Sequence, residues 1–436
     1  MGVDVISARL RRLMPVGQLA NNTVWNFIAT LSIRGLRLIA VMIVARIFDQ
    51  RDYGEFGIVL SSVSMFAVLA AFGMGVTAAR YVGGYKQLDK ELVGRVITMC
   101  FGSSLVFGGL FTLLLYLFAP WVASSLLAAP HLSAALRIGA FLLMLDAVVN
   151  VQIGILSGFQ SFRSLALSNI FVGILLLVFL VAGARFGGIE GALWGMVLAT
   201  FVEVLLKMVL VLRRMAIFNI APKFRLTERE TNIFKNHSLP ALAAGLLSAP
   251  VLWAGNAALV NQPDGYLDMA VINIAFQWFS ILLFLPGVIT NAVLPIFAEK
   301  ADAGDTAQLK TTLTSSAKAI GFAVIPLLAF VGLASPLIMR GYGSNYSGYW
   351  PILIIISFAA LMASSQNLLG NLLAVNNQMW MHFKSNCIWA LAYLGAVVFL
   401  FSYNMLDAIN MAIALSGAYF IKSGYVLYVI SQQFKG

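Results

Sequence analysis

The sequence predicts an all-α integral membrane protein, with 12 transmembrane helices in two pseudo-symmetric six-helix lobes around a central cleft. Three observations predict it. Apolar residues make up 61% of the 436 and charged residues 10%, against roughly 45–50% and about 25% in soluble domains. Mean hydropathy is +0.91. Apolar windows of about 20 residues, the length that crosses about 30 Å of hydrocarbon, recur along the chain with short connections. This composition excludes a soluble enzyme, a disordered chain and a secreted disulfide scaffold.

In chain order, residues 1–23 (MGVDVISARLRRLMPVGQLANNT) read as a basic, amphipathic cytoplasmic arm. No apolar region followed by a cleavage site marks them as a signal peptide. The spans follow at about 24–47, 54–78, 92–118, 132–157, 163–184 and 189–212, which form an N-lobe over 24–212. A basic, polar cytoplasmic loop over 213–237 is the only plausible lobe boundary. Spans at about 238–260, 267–294, 311–334, 349–373, 381–402 and 406–430 form a C-lobe over 238–436. Pro250 and Pro286 should bend the seventh and eighth spans.

Formal net charge is +11, read as topogenic charge on cytoplasmic loops and not as a nucleic-acid site. With the N-terminus inside, only Arg46, Arg51, Arg137, Arg185 and Arg340 fall outside, and Arg34 and Arg37 fall within the membrane. The remaining three quarters of the 28 Lys and Arg lie on inner segments, Lys207 and Lys422 among them. That bias puts both termini in the cytoplasm. The halves carry weak repeats. FGMGVTAARYVGGY runs off the second span as FLPGVITNAVLPIF runs off the eighth, and Ser168-Asn169 matches Ser385-Asn386.

Polar groups in hydrocarbon face a bundle interior or a wet cavity. Thr23, Asn26, Thr30, Arg34 and Arg37 recur at helical spacing on one face of the first span. Both arginines lie near mid-membrane, where one Arg costs roughly 2.5–3.5 kcal/mol even on insertion scales. They are either a cationic lining for an anionic ligand, which an Arg fork suits, or halves of interhelical ion pairs. Two acids lie deep in spans. Glu203 has Lys207 at i+4, the spacing of an intrahelical pair. Asp146, with Asn150 one turn on, either pairs with a first-span arginine or carries a proton. Both acids are candidates for proton or ion coupling. Asn273 and Gln277 share a face of the eighth span with Ser280, and serve either helix packing or a polar lumen.

Other chemistry is not supported. There is no phosphate-binding Gly-x-x-x-x-Gly-Lys loop and no dinucleotide fingerprint. Cys100 and Cys387 lie in apolar runs, and His131, His237 and His382 are too scattered to be a ligand set. No catalytic residue, metal or cofactor is therefore expected. The small residues of FGMGVTAA suit close helix packing.

The run ARIFDQRDYGEFG (45–57), with FGMGVTAARYVGGY (72–85), NHSLPALAAGLLSA (236–249) and YGSNYSGYWPILIIISFAALMASSQNLLGNLLAVNNQ (342–378), resembles the polysaccharide flippases, the Wzx-type O-antigen and exopolysaccharide branch of the MOP exporter superfamily. Asp49, Gln50 and Arg51 stand where that pattern has Gly-Pro-acid. The resemblance implies a MOP/MATE-like fold and a role in polysaccharide, O-antigen or lipopolysaccharide biosynthesis. The implied activity is flipping of undecaprenyl-diphosphate-linked oligosaccharide across a bacterial inner membrane by ion-coupled alternating access. Membrane lipids and a polysaccharide polymerase are the implied partners. On this reading Arg34 and Arg37 hold the diphosphate, and Asn26, Thr30, Asn150, Asn273 and Gln277 line the lumen for the glycan. Within the superfamily the rivals are lipid II flippases, typically with more helices, and multidrug cation antiporters, whose cationic substrates the helix 1 arginines would repel. A membrane glycosyltransferase or polymerase would need a chemically equipped external loop, and the outer loops at about 119–131 and 335–348 carry no acid.

Overall fold

The computed structural model describes residues 16–71, 73–224, 247–302, 306–375 and 379–433. The described residues are helical almost throughout, and nine helices among them are long and apolar enough to cross a membrane. By contacts the chain divides into two compact units. The first holds Met1–Phe48 and Val59–Ala249, and the second holds Asp49–Ile58 and Pro250–Gly436. The segment 49–58, expected to open the second N-lobe helix, thus groups with the C-terminal residues.

In the first unit, α1 (Val16–Ile47) packs along α6 (Phe162–Ile217). The helix α2 (Gln50–Ala71) is followed by α3 (Met74–Tyr85), and the left-handed Gly73 (φ 65°) breaks the chain between them. A β-carbon disfavours that conformation. α4 (Lys90–Trp121) is capped by Asp89, whose carboxylate accepts from the Leu92 amide at 2.9 Å. α5 (Ser133–Gly158) packs on α3, α4 and α6. The FGMGVTAA run does pack closely. A Cβ on Gly75 would lie 2.7 Å from the Asn150 carbonyl oxygen, and one on Gly154 would lie 2.1 Å from the Gly75 carbonyl oxygen.

α6 is two helices folded back on each other. Gly187 (φ −133°, ψ 16°) and Gly188 (φ 58°, ψ −143°) leave helical geometry between the expected fifth and sixth spans. Gly183, Gly191 and Gly195 let the two arms touch backbone to backbone, the small-residue packing that membrane helices favour.

Below the spans, Lys86 joins three chain segments. Its Nζ donates to the Gly158 carbonyl at 3.0 Å and lies 5.7 Å from the Phe218 ring centre. Burial, with the charge of Arg214 beside it, lowers its pKa below the usual lysine value. The surrounding core is apolar, with Met74, Val82, Leu92, Val96, Ile155 and Met215.

The second unit contains α7 (Ser248–Val260), α8 (Gly265–Leu282), α9 (Phe284–Asp302), α10 (Thr306–Tyr342), α11 (Pro351–Val375), α12 (Met379–Ser402) and α13 (Ala408–Gln433). Pro286 does interrupt the eighth span. The helix breaks at Leu283 and resumes with Pro286 in its first turn, where the missing amide proton costs no helical bond. Pro250 sits in the first described turn of α7, and residues 225–246 before it lie outside the described residues. Asp407 caps α13 by accepting from the Asn410 amide at 2.7 Å.

Two lysines counted with the inner-side charges are buried within their helices. Lys207 is 1% exposed within α6 and Lys422 is 8% exposed within α13. Neither is a loop charge. Each sits inside its bundle, held by a polar partner.

Candidate functional site

The first unit gathers the charges that the sequence scattered over three spans. α1 presents Arg34 and Arg37, both exposed, one turn apart and each within the other's electrostatic reach. α5 presents Asp146, whose charged neighbours are Arg37, Glu203 and Lys207. α6 presents Glu203 and Lys207, which form an ion pair across one helical turn, as their spacing predicts. Asp146 therefore lies within electrostatic reach of Arg37 and of the Glu203–Lys207 pair.

Among the described residues, Arg34, Arg37, Lys207, Asp146 and Glu203 make up this group. A buried Lys207 without Glu203 would be an uncompensated charge in a low-dielectric core, so the pair is held together by necessity. Gln152, on the same helix as Asp146, is fully buried and donates Nε2 to the Val204 carbonyl at 2.9 Å, which fixes α5 against α6 beside the pair. Arg34 and Arg37 are the members on the open side.

The neutral candidates divide. Asn150 is exposed and donates Nδ2 to the Asp146 carbonyl at 3.0 Å, one turn back on its own helix. Thr30 is half-buried on the arginine face of α1, while the Asn26 side chain lies outside the described residues. Asn273 and Gln277 belong to the second unit and lie against α2. A Cβ on Gly57 would fall 1.8 Å from Asn273 Nδ2. Gln277 donates Nε2 to the Tyr53 hydroxyl at 2.9 Å and accepts from the Tyr342 hydroxyl at 3.4 Å. Both ends of its amide thus join helices.

Sequence reasoning missed that tyrosine network, although its signal was the ARIFDQRDYGEFG run. Asp49 caps α2 by accepting from the Asp52 amide at 2.7 Å. Gln50 donates to the Leu267 carbonyl at 3.1 Å. Arg51 pairs with Glu55 at 3.5 Å and lies over the Tyr266 ring. Gly54 lets α2 approach the Tyr266 carbonyl, where a Cβ would meet the oxygen at 1.8 Å. The departure from Gly-Pro-acid at 49–51 thus supplies its own cap and two anchors.

With the fold and these contacts in hand, comparison with known proteins decides the family. The pattern of the polysaccharide biosynthesis protein family matches residues 19–301. The chain belongs to that family. Among polysaccharide biosynthesis protein relatives, the "EPS I polysaccharide export inner membrane protein EpsE" of Ralstonia solanacearum is 22% identical over 391 residues, covering 90% of this chain and 88% of the relative. Among solved structures, a multidrug resistance MATE family transporter of the MOP superfamily in an inward-facing conformation superposes with TM-score 0.77 at 15% identity, over 95% of this chain and 99% of that one. The lipid II flippase MurJ, inward closed, gives 0.72 at 16% identity, over 94% and 87%. This polysaccharide biosynthesis protein therefore has the α-helical MOP fold and is a multi-pass membrane protein.

Proposed function

We propose that the protein flips a lipid-linked oligosaccharide, an O-antigen or exopolysaccharide repeat unit on undecaprenyl diphosphate, from the inner to the outer leaflet of a bacterial inner membrane. It is a transporter and not an enzyme. Membership of the polysaccharide biosynthesis family and similarity to a protein named for polysaccharide export from the inner membrane support this. The observation that carries the substrate class is the exposed Arg34–Arg37 face, two cations one turn apart on α1. A diphosphate entering a low-dielectric region needs fixed positive charge, and the same face disfavours a cationic drug.

On this reading Arg34 and Arg37 neutralise the diphosphate. Asn26, Thr30 and Asn150 offer hydrogen bonds to the glycan beside them, with Asn273 and Gln277 as further polar groups of the pathway. Asp146 and Glu203 are the coupling carboxylates. The finer arrangement is twelve spans as two sets of six working by ion-coupled alternating access, with both termini cytoplasmic and polysaccharide polymerase machinery downstream.

Deleting the gene from its native cell tests the reading. Lipid-linked oligosaccharide should accumulate on the cytoplasmic leaflet while surface polysaccharide disappears, and the intact gene should reverse both. Normal surface polysaccharide in the deletion strain, with new sensitivity to cationic compounds, would point to a drug antiporter instead.

A further inference from the structure

Three helices of the second unit close around a polar cluster that the diphosphate reading leaves unused. α11 contributes Gln366 and Gly370, α12 contributes His382 and Asn386, and α13 contributes Lys422 and Ser423. Lys422, 8% exposed, donates Nζ to Asn386 Oδ1 at 2.7 Å. Gln366, 4% exposed, donates Nε2 to the Ser423 hydroxyl at 2.7 Å. His382 packs on Gly370, where a Cβ would lie 2.6 Å from its Cε1. Its Nδ1 is buried and has no hydrogen-bond partner among the described residues. The charge of Lys422 acts on His382. At about 1.5 Å per residue, Asn386 lies about 10 Å along α12 from its described start.

Lys422 forms no ion pair among the described residues. Lys207 holds the comparable place on the last span of the first half, and there Glu203 answers its charge. Among the described residues, the helices with the most contacts to α13 do not supply an equivalent acid. α11 has no titratable side chain between Pro351 and Val375. α12 offers His382, with Lys384 exposed beside it. Asp268 of α8 sits at the far end of its helix, next to Asp407 and Ala408. On α13 itself, Tyr419 packs on Trp389 and Tyr425 donates to Met381 Sδ.

We infer that Lys422 and His382 form a one-proton site inside the second unit. Two positive charges within each other's electrostatic reach, in a core with no carboxylate beside them among the described residues, repel at low dielectric, so the pair holds one proton on either nitrogen base or none. The proton comes from water and returns to water, and no bond between heavy atoms changes. The amides of Asn386 and Gln366 and the Ser423 hydroxyl are uncharged, so they solvate the site without fixing its charge. Use of this proton to drive export rests on the flipping reading. The site itself does not.

The chain has 3 histidines, so the test is direct. Full-length protein in nanodiscs, labelled with isotopic histidine, is titrated between about pH 5 and 9 with His382→Gln as the assignment control. In Lys422→Met, His382 should take up its proton at least about one pH unit higher than in the wild type, the mark of coupled titration. Asn386→Asp should raise it likewise by giving Lys422 a counter-charge, and this variant decides alone if Lys422→Met does not fold. An unchanged His382 titration overturns the site. In vesicles carrying undecaprenyl-diphosphate oligosaccharide, a pH gradient should accelerate flipping by the wild type and not by Lys422→Met. Gradient acceleration retained in that variant overturns the coupling role. Absence of flipping in the wild type tells against the flippase reading and leaves the titration result standing.

Discussion

Gly183 and Gly191 meet so closely within α6 that a Cβ on either would lie 2.1 or 2.3 Å from the other's carbonyl oxygen. The non-helical Gly187 and Gly188 lie between them and divide the 56-residue helical run into two arms. Gly191→Val should separate the arms and exceed the roughly 1–3 kcal/mol typical of overpacking. Gly188→Ala should cost about 1–3 kcal/mol, because φ 58° with ψ −143° is a glycine conformation. Gly187→Ala, with open space around its Cβ, should cost well under that. Thermal unfolding of the detergent-solubilised variants would show this order.

The Tyr53–Gln277 hydrogen bond predicts a double-mutant signature. Tyr53 is fully buried, so Gln277→Leu strands its hydroxyl and should cost about 1–3 kcal/mol, while Tyr53→Phe leaves the half-buried Gln277 amide short of a partner and should cost about 1 kcal/mol. The double variant Tyr53→Phe/Gln277→Leu should cost less than the sum of the two, since removing both partners can be nearly neutral. Fully additive losses in melting temperature would mean that the bond contributes nothing. If Gln277 also serves the glycan, Gln277→Leu should slow export beyond what its stability loss explains.

Much of this architecture is legible in the sequence, because hydrophobic length and glycine or proline punctuation are local signals. The turn between the fifth and sixth spans, the interruption at Pro286 and the Glu203–Lys207 pair all follow from neighbours a few residues apart. The break at Gly73 is hidden because apolar residues run unbroken through it. Lys207 and Lys422 look like loop charges, because counting charges near a span's end does not distinguish a lysine leaving the membrane from one folded into the bundle. The Tyr53–Gln277–Tyr342 network joins residues far apart in the chain, and no periodicity reports such a contact. The convergence of Arg37, Asp146 and Glu203 has the same character: each was visible alone, and only the fold brings them together.

Asp146 and Arg37 separate transport from support. Asp146→Asn keeps size and hydrogen bonding while removing charge, and should lower glycan export and flatten its pH dependence at normal protein level. Unchanged export with the same pH profile would remove Asp146 from the coupling scheme. Arg37→Lys should retain part of the activity, since it keeps the charge and loses the fork. Arg37→Ala/Asp146→Asn should stay inactive. Full recovery in that double variant, with expression also restored, would make Arg37 a structural strut.

Topology is open to labelling. In a chain without Cys100 and Cys387, single cysteines at Asp264 or Ser344 should react with an impermeant maleimide from outside. Cysteines at Lys223 or Arg225 should react only after permeabilisation. The reverse pattern would invert the orientation and with it the direction of export.

The most direct test of the central claim is reconstitution with defined undecaprenyl-diphosphate oligosaccharides, following exposure of the glycan on the opposite leaflet. The wild type should expose it. Arg34→Ala/Arg37→Ala should slow exposure by about tenfold or more, the loss expected from removing charge-assisted contacts worth about 1.5–3 kcal/mol each, while inserting normally. Equal rates for that variant and the wild type would contradict the account.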